Sequence, residues 1–129
     1  MSDGAARAAI VGLGAGRMTI GVGLWIAPRA LARALGLRDL GPGALAIARV
    51  AATRDLLLGA WQLRALADRE ALSQATTAGV IADAGDALAF AIAARDRRSR
   101  TAGWRGLSAA IPATAVGLWS RRAFERQAA

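Results

Sequence analysis

The chain contains four apolar stretches of about the length of a bilayer crossing, and three carry ionisable residues near their centres. The stretches run from Ala8 to Ala27, Ala44 to Leu66, Gln74 to Ala94 and Gly103 to Trp119. Arg17 lies within the first; Arg49, Arg54 and Asp55 within the second; Asp83 and Asp86 within the third. In the second stretch, eight Leu, Ile and Val residues contribute roughly −3 to −4 kcal/mol of insertion energy, against about +8 to +10 kcal/mol for three charges. Such a helix needs counter-charges on its neighbours. The pattern predicts an all-α, four-helix transmembrane bundle forming one domain over residues 1–129, with the charges meeting at one depth.

Pro28 is expected to stop the first helix, because its ring and missing N–H disfavour continuation. Residues 29–36 then place Leu31 and Leu35 on one face of a short interfacial helix. Gly41-Pro42-Gly43 breaks the chain before the second long helix, residues 67–73 read as a polar connection, and the arginine run 95–100 ends the third helix. The fourth stretch is the weakest, shortened by Arg105 and expected to kink at Pro112. Trp25, Trp61, Trp104 and Trp119 fall near helix ends, where indole rings suit a membrane interface. Ala30-Leu-Ala32 resembles a processing site, yet Arg17 and the glycines interrupt a signal-peptide core, so the first helix is expected to be retained.

With no Cys and no His, disulfides, thiol nucleophiles, imidazole bases and the usual zinc or haem ligands are excluded. No cofactor, no metal and no enzyme activity are expected. All 17 basic residues are Arg, for a net charge of +8. The six charges named above cancel, so loops, termini and stretch ends carry the whole excess, as suits a chain held in a lipid bilayer against anionic head groups. Arginines 29, 33, 38, 95, 97, 98, 100 and 105 fall on one side and 7, 64, 69, 121, 122 and 126 on the other, which leans towards both termini outside.

Asp83 and Asp86, three residues apart, share a helix face, and Arg17 and Arg54 are their natural counterions. Asp55 lies about 100° around the helix from Arg54, extending the network to a third helix. The bland reading is a structural layer that fixes helix pairing; the sharper one is a proton, cation or ligand site in a small transporter, channel or binding protein. Gly12 and Gly16 form a GxxxG face that continues to Gly23, while Gly14, Arg17 and Gly21 lie on a second stripe. With Gly59 on the second long helix, Gly12, Gly16 and Gly23 are the expected helix-packing positions, and such faces also suit a homo-oligomer.

Gly12-Leu-Gly14-Ala-Gly16-Arg17 imitates a dinucleotide-binding loop, but Arg17 stands where the third glycine is required. A soluble basic helical protein binding nucleic acid through residues 95–105 is a further alternative. Only Trp104 offers a stacking surface there, and lipid explains the charges with fewer assumptions.

At Ala48-Arg49-Val-Ala-Ala-Thr-Arg54-Asp55-Leu-Leu-Leu-Gly59 and Gly79-Val-Ile-Ala-Asp83-Ala-Gly-Asp86-Ala87, the chain resembles a family of small bacterial four-helix membrane proteins of unknown function. That family carries Arg-Asp-x-x-x-Gly in helix two and an Asp near Gly-Asp-Ala in helix three. A more distant similarity is to the DoxX-like membrane proteins. The first resemblance implies a signature polar core of Arg54, Asp55, Asp83 and Asp86, to which depth adds Arg17 and Arg49. The expected role is a structural or accessory membrane protein.

Overall fold

The computed structural model describes residues 3–37 and 40–126. Its helices are α1 (Asp3–Ile26), α2 (Pro28–Ala34), α3 (Pro42–Arg64), α4 (Arg69–Ala93) and α5 (Arg100–Glu125), with a 3-10 turn, Ala65–Ala67, between α3 and α4. The fold is all-helical, with no strand among the described residues. Arg38, counted with the first-loop arginines, lies outside them.

The breaks follow local chemistry. Pro28 and Pro42 stand in the first turns of α2 and α3, where a missing N–H leaves no helical bond unmade. Gly36, at φ 88°, closes α2: its N–H reaches the Arg33 carbonyl and the N–H of Leu37 reaches that of Ala32. Helix α4 begins at Arg69, earlier than the expected connection over 67–73 allows. The Asp68 carboxylate caps it by accepting the N–H groups of Glu70 and Ala71 at 2.9 and 3.1 Å. Helix α5 also exceeds its expected span, starting in the arginine run and continuing through Pro112 to Glu125.

Packing is closest within two antiparallel pairs, α1 with α3 and α4 with α5. Glycines permit both. A Cβ at Gly59 would lie 2.6 Å from the Gly14 carbonyl oxygen, and one at Gly21 would lie 2.9 Å from that of Ala52, so the two backbones touch. In the other pair Gly103 meets Ala94, Gly106 meets the Phe90 ring and Gly117 meets Val80. The expectation for Gly12 and Gly16 is corrected here: a Cβ at either would meet nothing within 4 Å. The face of α1 turned to α3 is the Gly14–Gly21 stripe, and Gly12 and Gly16 point into the space between the pairs. Gly23 makes ordinary contact with Leu31 of α2.

The pairs close on each other at the α1 N-terminal end, where Ala6, Ile10, Ala65, Leu72, Ala75 and Phe124 form the apolar core. Elsewhere the buried residues, Leu45 apart, are small or polar, and many large apolar side chains face outward. Val22 on α1, Ile47 and Leu57 on α3, Ile81 and Leu88 on α4 and Ile111 on α5 are all exposed. Two helices, Gly4–Ile26 and Arg69–Ala93, are long and apolar enough to cross a membrane.

Candidate functional site

Antiparallel pairing brings the middle of α1 level with the middle of α3, and across the looser seam between the pairs α1 packs against α5 and α3 against α4. At that level Arg17, Arg54, Asp55, Asp83 and Asp86 form one group, two hydrogen-bonded sets joined by an ion pair. Arg17 Nη2 donates to Asp83 Oδ2 at 2.6 Å and to the Gly79 carbonyl at 3.0 Å. Its Nη1 lies 3.6 Å from Asp55 Oδ1. Arg54 grips Asp86 with both ends of its fork, at 2.8 and 2.6 Å, the geometry that makes an arginine–carboxylate pair strong. Its Nε and Nη2 also reach Asp55 Oδ1 at 3.3 and 3.0 Å. Asp55 therefore joins the two arginines, and the network links α1, α3 and α4.

Burial is graded across the group: Arg17 and Asp83 are only 7% and 8% exposed, whereas Arg54 and Asp86 are about one-third open. Arg49 does not belong to it. It is exposed, on the outside of α3, with its guanidinium carbon 5.9 Å from the centre of the Trp25 ring. Depth alone suggested a place in the core, but Arg49 lies five residues before Arg54, and that separation turns it to the outer face.

Gly79 is a member of the site that the charge pattern does not reveal. Its carbonyl accepts from Arg17, and a Cβ there would sit 3.3 Å from Arg17 Nη2 and 2.7 Å from Gln62 Nε2. Its spacing four residues before Asp83 on one helix face is the signal that could have found it. Gln62, Thr76 and Ser120 are also sealed inside, and among the described residues Gln62 Oε1, Thr76 Oγ1, Ser120 Oγ and Arg17 Nε have no hydrogen-bond partner. The helical spacing of Ala48, Ala52, Asp55, Gly59 and Gln62 points Gln62 inward, whereas Thr76 and Ser120 carry no such signal.

All five charged residues border a cavity of about 520 Å³ between the pairs. Gly12, Gly16 and Ile20 of α1, Leu31 and Leu35 of α2, Phe90 of α4 and Ala110 of α5 supply apolar wall. A side wall is thus charged and the remainder hydrocarbon. Helix α2 is held over this space by Arg105, which donates to the Ala34 carbonyl at 2.7 Å. Arg7 and Arg69 make similar ties at the other end, to the carbonyls of Leu66 and Phe124, both at 2.6 Å. Arginines that sequence assigned to a basic surface thus also fasten helix ends and the turn between α3 and α4. Among the described residues no group of three or more acidic side chains converges to hold a metal ion.

No family model, no curated protein and no solved structure matches the chain.

Proposed function

We propose that this chain is a multi-pass membrane protein in which α1, α3, α4 and α5 cross the bilayer, and that its charged network forms the polar wall of a ligand-binding cavity. The observation that carries the reading is the reversal of polarity: five ionisable side chains line a half-open cavity between the helix pairs, while large apolar residues project from every long helix. Hydrocarbon stabilises that outer surface, and the charges are tolerable because they pair inside. Trp25 and Trp104 mark one end of the bundle, Trp61 and Trp119 the other, as expected for side chains at the two interfaces. The loop arginines suit anionic head groups. A purely structural polar layer would be packed around by side chains; the open space beside this one favours binding.

Because the chain has no cysteine, single-cysteine labelling is clean. In native membranes, Leu57→Cys and Ile81→Cys are expected to resist a water-soluble charged maleimide, since lipid shields them. Gly16→Cys, facing the cavity, is expected to react with a small permeant maleimide that needs water for thiolate formation. Fast labelling at positions 57 and 81 would contradict the transmembrane placement, and an inert Gly16→Cys would contradict an accessible cavity.

A further inference from the structure

The network contains two guanidinium groups and three carboxylates, so its formal charge with all five ionised is 2 − 3 = −1. This local deficit lies inside a chain whose net charge is +8. The donors and acceptors are unequally used as well. Arg54 donates from all three of its nitrogens, and both terminal nitrogens of Arg17 face carboxylates. The nitrogen left over, Arg17 Nε, is sealed from the cavity. An anion entering would have to displace an aspartate. By contrast, Asp83 Oδ1 and Asp55 Oδ2 accept none of these bonds, and neither is among the sealed unpartnered atoms.

We infer that the cavity takes an organic monocation, an ammonium group on a compact apolar body, with its N–H groups donated to Asp83 and Asp55 and the body against Ile20, Leu31, Leu35 and Phe90. The inference rests on the ligand-cavity reading above and specifies the class of ligand. A primary or secondary ammonium fits better than a quaternary one, because the open groups are hydrogen-bond acceptors and, among the described residues, Phe90 is the one aromatic side chain in the lining. A bare divalent metal fits poorly, since among the described residues the acids do not converge on one point. The volume, about 520 Å³, suits a small drug-sized molecule. Two glycines keep that volume open: Gly12 and Gly16 line the cavity and have nothing within 4 Å of a Cβ position.

The test is isothermal titration calorimetry on the purified full chain in phosphatidylcholine nanodiscs, with empty discs subtracted. Three probes share one rigid body: adamantan-1-amine, protonated at neutral pH, adamantan-1-ol and adamantane-1-carboxylate. The amine is expected to bind at least tenfold more tightly than either of the others. Asp83→Asn, which removes the excess charge, should erase that preference. Gly16→Leu should abolish binding by filling the cavity while its melting temperature stays at or above that of the parent, so that loss of binding is not loss of fold. If the alcohol binds as well as the amine and Gly16→Leu blocks both, the cavity stands and the cation preference is overturned. If the carboxylate binds best, the arginines are the recognition groups and the inference is wrong. If no probe binds in a manner that Gly16→Leu blocks, the inference and the cavity reading fall together.

Discussion

Replacing Arg17 with Met is expected to destabilise the protein by about 3–5 kcal/mol, the cost of leaving a buried charge uncompensated, and to remove most of the folded yield. The reason is the division of labour in the network. Arg54 serves Asp86 and Asp55, but Asp83, only 8% exposed, has Arg17 as its one guanidinium partner among the described residues. Methionine fills the volume and offers no charge. The double variant Arg17→Met/Asp83→Leu is expected to regain most of the loss, because removing both members of a buried pair leaves nothing unpaired. Melting temperature and monodispersity of the detergent-purified variants check this. Equal damage in the single and double variants would show that Arg17 acts through packing and its bond to Gly79, not through charge.

The second large effect is expected at Gly59. A leucine there drives Cβ to 2.6 Å from the Gly14 carbonyl oxygen and 2.8 Å from Met18 Cγ, and only the methionine can move aside cheaply. The backbones of α1 and α3 must separate, and since Arg17 and Asp55 lie on those helices, the network opens with them. Overpacking of this kind costs roughly 3 kcal/mol. Gly16→Leu, two residues from Gly14 on the same helix, is the matched control: it removes a helical glycine where there is open space, so its stability is expected to hold or rise by up to about 1 kcal/mol. Thermal denaturation of the two side by side decides it. A Gly59→Leu protein as stable as Gly16→Leu would mean that the close approach of α1 and α3 is not what holds this pair.

How far sequence reached depended on whether a feature was set by local chemistry or by the rotation of a helix. Apolar runs and prolines gave the helices and the break at Pro28, since both act through the backbone itself. Opposite charges at similar depth pointed to six residues, and five of them meet, because charges within apolar stretches have few alternatives. Rotation was less legible. Arg49 shares the depth of Arg54 within about two turns but faces outward, and depth carries no angular information. On α1, two glycine stripes were available, and the one with the better-known spacing faces the cavity while Gly14 and Gly21 meet α3. Choosing between them needs the partner helix, whose Gly59 receives the α1 backbone. The start of α4 was misplaced because Asp68, Arg69 and Glu70 look like a loop, although Asp68 is a capping residue and an acid in a first turn favours a helix. The carbonyl contacts of Arg7, Arg69 and Arg105 were out of reach, since each joins residues more than 50 positions apart and nothing local marks them.

The central claim is that lipid surrounds this bundle, and carbonate extraction of membranes from cells expressing the full chain tests it most directly. Alkaline carbonate strips proteins held by charge, including any basic protein adhering to anionic head groups or nucleic acid, and leaves embedded helices behind. The account predicts that the chain stays in the washed pellet and is released only by detergent. Quantitative release into the carbonate supernatant would contradict it, and would return the outward apolar residues to the status of a protein–protein surface and the arginine-rich loops to a soluble, nucleic-acid-binding role.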